Sequence, residues 1–246
     1  MVLPGAEPAS FPGGPNGVLV LHGFTGNPSS MRPLATALAE AGYTVELPRL
    51  PGHGTVVEEM IPTRWSDWSA AALQAYEDLA ERCSRVAVTG LSMGGTLATW
   101  LAVNHPAIAG LIPINPMIEP PPDDLIDVLR AIEDETMSGV GSDIAKPDTV
   151  ESAYEAAPVA ALLSFLLDGV QPLSAQLASV RCPVLLFTSP QDHVVTPTSS
   201  DYLAAAVSGP VERVSLERSF HVATLDYDAA EIEARTIEFL AKVFTA

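Results

Sequence analysis

Three side chains far apart in the sequence have the types and the order that nucleophilic catalysis requires. Ser92 lies in the pentapeptide Gly-Leu-Ser-Met-Gly at positions 90–94, Asp192 follows a later apolar segment, and His221 follows the next one. A serine hydroxyl is a weak nucleophile at neutral pH, so it needs a nearby base, and the base needs an acid that orients its ring. Serine, acid, histidine is one of the chain orders in which this set occurs. The pattern predicts Ser92 as nucleophile, His221 as base and Asp192 as its partner.

The residues around Ser92 predict the turn that would expose such a serine. Val86 and Val88 indicate a buried strand before it, and a helical pattern continues after it to about residue 105. Gly90 and Gly94 flank the serine because a tight turn from strand to helix leaves no room for a β-carbon. This nucleophile elbow would place the hydroxyl at a helix N-terminus, where partial positive charge favours a developing oxyanion.

Two backbone amides are predicted to bind that oxyanion. Met93 supplies one, since it directly follows the nucleophile. Phe24 is the best candidate for the other, because it follows His22 and Gly23 in the loop after the first predicted strand. The main chain donates in both cases, so the side chains at these two positions matter little.

The remaining histidines are less well placed to act as the base. His193 is adjacent to Asp192 and precedes the strand whose loop should carry the base. His22 and His53 lie in glycine-rich loops and are expected to form structural hydrogen bonds. His105 ends the helix after the elbow, where a histidine stabilises the C-terminus. Asp192 itself has an alternative role as a simple turn-forming residue.

Alternation of apolar strands and amphipathic helices predicts a parallel sheet with helices on both faces. A proline- and glycine-rich lead-in covers residues 1–16. Besides the strand before the elbow, strands are predicted at residues 17–21, 43–48, 107–115, 183–189 and 211–216. Besides the helix after the elbow, helices are predicted at residues 65–82, 198–207 and 229–244. A further helix is predicted to begin after Ser29 and Ser30, which would cap it, and to end at about residue 41.

Residues 116–179 differ in composition and predict a helical cap over the carboxyl edge of the sheet. After three prolines, Asp123 or Asp124 is the expected N-cap of a helix. The apolar residues that share one face of that helix are Leu125, Val128, Leu129 and Ile132, here called its apolar stripe. We expect an apolar acyl pocket formed by Leu125, Leu129, Ile132, Leu163 and Leu166. Anchoring of the cap to the body explains the same residues equally well.

Composition limits the partners. The chain of 246 residues is 48% apolar, carries a formal net charge of −18, and fits one α/β domain over residues 1–246. Such a surface should repel nucleic acid, anionic membranes and acidic acyl carriers, and favours a neutral small-molecule substrate. Cys83 and Cys182 fit neither a disulfide framework nor a metal site. No signal peptide or apolar span is evident, so we expect a cytoplasmic protein without stable membrane insertion.

Taken together, residues 22–26, 51–54 and 90–95 with Asp192 and His221 resemble the α/β-hydrolase superfamily. More narrowly, the chain from about Val18 onward is similar to the small bacterial carboxylesterase and monoacylglycerol lipase family. The resemblance implies a mostly parallel, doubly wound sheet with a small helical cap inserted after the fourth predicted strand. It also implies hydrolysis of short- to medium-chain esters or monoacylglycerols through an acyl-enzyme, without a cofactor. Phe220 departs from the family, where many relatives carry glycine, and would narrow the pocket or restrict His221.

Two other functions fit the same residues. The insert is rich in acidic side chains that would grip an α-ammonium group, as in an aminopeptidase- or amidase-type hydrolase. A receptor of this fold that binds a small ligand with little turnover is a second alternative. An aspartate-nucleophile enzyme is disfavoured by Ser92. No metal cluster or phosphate-binding glycine loop is evident, so neither metal nor cofactor is expected, and the oligomeric state is left open.

Overall fold

A seven-stranded sheet forms the centre of the computed structural model, which describes residues 1–245. The strands of the chain are β1 (Ala9–Phe11), β2 (Asn16–Leu21), β3 (Thr44–Leu47), β4 (Arg85–Leu91), β5 (Leu111–Ile114), β6 (Thr136–Ser138), β7 (Ala156–Pro158), β8 (Val184–Thr188) and β9 (Val211–Ser215). The order across the central sheet is β1-β3-β2-β4-β5-β8-β9. All neighbouring pairs in it are parallel except β1 with β3, which is antiparallel. The mostly parallel sheet that was predicted is confirmed.

Helices cover both faces of this sheet. They are α1 (Arg32–Glu40), α2 (Val57–Met60), α3 (Trp65–Ala80), α4 (Met93–Asn104), α5 (Asp123–Arg130), α6 (Val159–Ser164), α7 (Gln171–Ser174), α8 (Thr198–Ala206) and α9 (Ala229–Val243). Helices α1 and α9 pack together on one face, whereas α3, α4 and α8 pack on the other. The central strands β2, β4 and β8 are buried almost throughout, as continuous apolar strands between two helical layers must be.

The proline- and glycine-rich lead-in contains the short strand β1. Two local expectations near the start of the chain and before the insert are wrong. Asn27, not Ser29 or Ser30, caps the turn before α1, since its side chain accepts the Ser29 N–H at 3.0 Å. The strand predicted at residues 107–115 begins only at Leu111, because residues 105–108 form a turn closed by the Ile108 N–H.

The insert between β5 and β8 is a mixed structure and not the purely helical cap that was expected. It contains α5, α6, α7 and a π-helical turn (Phe165–Val170), together with the antiparallel pair β6 and β7. Neither Asp123 nor Asp124 is the N-cap of α5. The extended Pro122 occupies that position, so both acids lie in the first turn. A long segment, here called the β6–β7 loop (residues 139–155), crosses the end of the sheet where the predicted site lies.

Within residues 1–245, the helices are all too short or too polar to cross a membrane.

Candidate active site

Ser92 lies in a strained turn at the end of β4. Its backbone angles are φ 55° and ψ −118°, a conformation that L-residues rarely adopt and that is found at functional sites. The Ser92 N–H donates to the Ile114 carbonyl oxygen at 2.9 Å, and its own carbonyl accepts the Thr96 N–H at 3.0 Å. The strand before it and the first turn of α4 after it therefore fix the position of the serine.

The two flanking glycines permit this turn, as predicted. A β-carbon on Gly90 would lie 2.3 Å from the backbone of Gly94, and one on Gly94 would lie 2.2 Å from the carbonyl oxygen of Leu21. Real β-carbons do not approach backbone atoms so closely, so α4 can cross β2 and β4 here only over glycine.

His221 and Asp192 are joined side chain to side chain. His221 Nδ1 lies 2.7 Å from Asp192 Oδ2, with 9% and 2% of the two side chains exposed. The other carboxylate oxygen, Oδ1, accepts the N–H groups of Val194 and Val195, both at 2.8 Å. Asp192 is thus held in a fixed orientation and can orient the histidine ring, as the sequence pattern requires.

Residues at the ends of β5 and β8 hold the loop that carries His221. Asn115, in a left-handed conformation (φ 44°), donates through Nδ2 to the His221 carbonyl oxygen at 2.8 Å. The Ser189 hydroxyl donates to the Phe220 carbonyl oxygen at 2.9 Å. Both side chains are buried, and their hydrogen bonds hold the His221 loop against the end of the sheet. Sequence patterns had not singled out Asn115 or Ser189.

The loop after β2 lies directly beside the serine. A β-carbon built on Gly23 would be 3.6 Å from Ser92 Cβ, so the next residue, Phe24, is close to Ser92. Met93 is the first residue of α4 and is buried. The two amides predicted as oxyanion donors thus belong to segments on either side of Ser92, and their role remains a prediction.

A cavity of about 300 Å³ brings these groups together. Ser92, His221 and Phe24 line it, with Asp143 and Glu151 from the β6–β7 loop. The remaining wall is mainly apolar and comes largely from the insert. A mainly apolar cavity with a few polar groups suits a substrate with a hydrocarbon part and one reactive polar group.

Three of the five residues predicted for the acyl pocket line this cavity and two do not, and binding of an acyl chain there remains a prediction. Leu125, Leu129 and Leu166 line the cavity, but Ile132 and Leu163 do not. Both of these pack partly buried against the core instead. Further apolar lining comes from Met117, Met137, Leu162 and Phe165.

The exposed apolar side chains of α5 correct the predicted stripe. Leu125 is 41% and Val128 63% exposed, whereas Ile126 is 5% and Leu129 2% exposed. The helix therefore presents Ile126 and Leu129 to the interior, and the stripe is rotated from the one expected.

Glu151 places a carboxyl group in the cavity wall. Burial raises its pKa to about 6, and the neighbouring His221 and a hydrogen bond to Ser30 oppose this shift. No motif or periodicity indicated Glu151, because it lies in the irregular β6–β7 loop.

His22 and His53 are structural, as expected. The His22 Nε2 accepts the Leu50 N–H at 3.1 Å, and its Nδ1 lies 3.0 Å from the Gly23 carbonyl oxygen. Burial, followed by the charge of His53, lowers the pKa of His22 to about 3. Burial lowers the pKa of His53 to about 4. Both rings are therefore neutral supports of the loops around Phe24.

Comparison with known proteins identifies the family of this chain. Residues 18–234 match the family described as "Alpha/beta hydrolase family". The chain belongs to the α/β-hydrolase family. This hydrolase is 47% identical over 242 residues to the thermostable monoacylglycerol lipase of Bacillus sp. (strain H-257), covering 98% of this chain and 96% of that protein. It is 28% identical over 242 residues to a carboxylesterase of Bacillus subtilis (strain 168), covering 96% and 97% of the two chains.

Solved structures support the same family and fold for this hydrolase. A structure from the pair LipS and LipT, two metagenome-derived lipolytic enzymes, has a TM-score of 0.94 at 42% identity and covers 98% of this chain and 100% of that one. The monoacylglycerol lipase of Paleococcus ferrophilus has a TM-score of 0.74 at 18% identity, covering 96% and 98% of the two chains. The second likeness concerns the fold alone.

Proposed function

We propose that this α/β-hydrolase cleaves carboxylic esters, with short- to medium-chain esters or monoacylglycerols as substrates, through Ser92, His221 and Asp192. One observation carries the proposal: Ser92, in its strained turn, and His221, which contacts Asp192, both line a single, mainly apolar cavity. The monoacylglycerol lipase relative, similar along nearly the whole of both chains, supports the choice of substrate class.

The reaction would proceed in two halves. His221 takes the proton of the Ser92 hydroxyl as Oγ attacks the ester carbonyl carbon, and the amides of Phe24 and Met93 stabilise the oxyanion. The ester C–O bond then breaks, and His221 returns the proton to the leaving alcohol. Water, deprotonated by His221, attacks the acyl-enzyme in the second half and releases the acid, while Asp192 orients the ring throughout.

A graded panel of esters tests the proposal. Glycerol, alkyl and aryl esters with acyl chains from acetyl to dodecanoyl are compared with a proline anilide at equal enzyme concentration. We expect Ser92→Ala to abolish hydrolysis and Asp192→Asn to lower kcat by roughly 10⁴-fold, as the same change does in a serine protease triad. Asp201→Asn is a matched control, since that side chain is 61% exposed and pairs with a surface arginine. Undiminished turnover by the Ser92 variant would refute the proposal.

The aminopeptidase alternative has one observation in its favour. The insert acids that suggested it, such as Glu119 and Asp123, are not among the cavity-lining residues, but Glu151 places a carboxyl group in the cavity wall. Faster cleavage of the proline anilide than of any ester would favour this alternative. The cytoplasmic location stays a prediction, to be checked by fractionation of cells that express the protein.

A further inference from the structure

Asp143, in the β6–β7 loop, contacts both loops that carry the predicted acid and base. Its Oδ2 accepts the backbone N–H of His221 at 3.0 Å and the backbone N–H of His193 at 3.1 Å. His193 directly follows Asp192. One oxygen of Asp143 therefore bonds both to His221, the proposed base, and to His193, the residue after the proposed acid.

The main chain of Asp143 adds a third contact. Its carbonyl oxygen accepts the Val222 N–H at 3.0 Å, immediately after His221. The Asp143 side chain is 14% exposed, and its bond to the His221 N–H is partly buried. Hydrogen bonds from N–H groups to a carboxylate are stronger than those between neutral groups, and two of them converge here on one oxygen.

We propose that Asp143 is a positioning residue, which sets the separation of the His221 and Asp192 loops and so makes the insert part of the catalytic apparatus. The two loops follow different strands, and the ring of His221 must keep its 2.7 Å contact with Asp192. Asn115 and Ser189 hold the His221 loop to the sheet by its carbonyl oxygens. Asp143 holds it by the N–H groups of His221 and Val222.

A second carboxylate keeps the insert attached when Asp143 is changed. Asp226, 3% exposed, accepts the N–H groups of Ala145 at 2.7 Å and Lys146 at 2.9 Å, and also that of Phe220 at 2.9 Å. The β6–β7 loop would thus stay on the His221 loop in an Asp143 variant. Loss of Asp143 should alter the geometry of the catalytic loops more than it alters the fold.

The ring of His193 supplies a matched control. Its Nδ1 lies 2.8 Å from Asp143 Oδ1, but the ring is 60% exposed, and such surface pairs contribute little. His193→Ala removes this contact and leaves both backbone N–H bonds to Asp143. Asp143→Asn keeps an oxygen acceptor for those bonds, whereas Asp143→Ala removes it.

This role presupposes the proposed ester hydrolysis, so the first experiment uses the best monoacylglycerol ester of the wild type. Rates are normalised to the number of sites that react with a fluorophosphonate. We expect kcat of Asp143→Ala to fall about 10- to 100-fold with KM within about twofold, because a misplacement of about 1 Å costs that much in rate. Asp143→Asn should recover most of the loss, and His193→Ala should stay within about threefold of the wild type.

Unchanged kcat per reactive site in Asp143→Ala, with only a lower Tm, would overturn the proposal by showing a purely structural role. Equal losses in all three variants would also overturn it, since they would point to the ring contact.

A second readout does not depend on turnover. Proton NMR detects the hydrogen-bonded Nδ1–H of His221 as a far-downfield resonance, which should shift or disappear in Asp143→Ala and persist in His193→Ala. An unshifted resonance in Asp143→Ala would refute positioning. Absence of ester hydrolysis by the wild type would instead refute the proposed function, and the resonance would still test Asp143.

Discussion

Replacement of His53 by asparagine tests whether buried neutral histidines make this fold sensitive to acid. His22 and His53 have no exposed surface, and their ring centroids are 5.1 Å apart. Burial is the main cause that lowers the pKa of His22 to about 3 and that of His53 to about 4, from an ordinary value of 6.5. In the unfolded chain both rings regain the ordinary value.

The sign and size of the effect follow from these values. As the pH falls through 6.5, the unfolded chain binds protons that the native rings do not accept, so the free energy of unfolding falls. Between pH 7.5 and 5, each ring lowers it by about 2 kcal/mol. Glu151 acts in the opposite direction. Its raised pKa of about 6 means that the native state is protonated first on acidification, which stabilises the native state by about 1 kcal/mol over the same range.

The assay is urea unfolding of the wild type and of His53→Asn at pH 7.5 and pH 5. Asparagine can keep a donor for the Pro51 carbonyl oxygen, which lies 2.9 Å from His53 Nδ1. The variant loses ring contacts with Phe24 and Trp68, so it should be less stable at both pH values. We expect its loss of stability on acidification to be smaller than that of the wild type by about 2 kcal/mol. The contribution of Glu151 cancels in this comparison. Equal losses in the two proteins would refute the buried neutral state of His53.

Three other perturbations have defined outcomes. Gly94→Ala should unfold the protein or remove several kcal/mol of stability, because its β-carbon would lie 2.2 Å from a backbone oxygen. Gly23→Ala should fold normally, because the atom nearest to its β-carbon would be 3.6 Å away. Melting curves followed by circular dichroism compare the two variants. Glu151→Gln removes a carboxyl group whose ionisation destabilises the fold. The free energy of unfolding of this variant, relative to that of the wild type, should therefore rise by about 1 kcal/mol between pH 5 and pH 7.5 in urea titrations. The same difference between the two proteins at both pH values would contradict the raised pKa of Glu151. Leu162→Phe should lower kcat/KM for dodecanoyl relative to butyryl esters by about tenfold, because Leu162 lines the cavity, while Leu163→Phe should leave the ratio unchanged. Equal ratios in these two variants would place the acyl chain elsewhere.

The sheet and the positions of the loops that carry the proposed acid and base could be predicted because their physical signals are local and strong. Continuous apolar runs place β2 and β8 within two residues of their observed ends. Parallel strands end at one edge, so the loops that follow β8 and β9 had to bring Asp192 and His221 to the side of the sheet where Ser92 lies. The two glycines of the turn were predictable from sterics alone.

The walls of the site were predicted less well, for physical reasons. Helical periodicity says which residues share a face only while the helix is regular, and the π-helical turn that begins at Phe165 changes the spacing after α6. Leu162 and Leu163 precede this turn, in α6, and which of the two faces the cavity depends on how the insert packs against the rest of the chain. Asp143 and Glu151 lie in a loop with no period and no motif. Their positions depend on long-range contacts with the His221 loop and the cavity, which a single sequence does not display.

The most direct test of the account is the site at which a fluorophosphonate reacts. A long-chain alkyl fluorophosphonate is incubated with the protein, and the adduct is located by peptide mass spectrometry while ester hydrolysis is followed in parallel. We predict one adduct per chain, on Ser92, with hydrolysis lost in proportion to labelling, slower labelling of Asp192→Asn, and no adduct on Ser92→Ala. An adduct on another residue, or hydrolysis that persists in fully labelled protein, would contradict the assignment of Ser92 as the nucleophile.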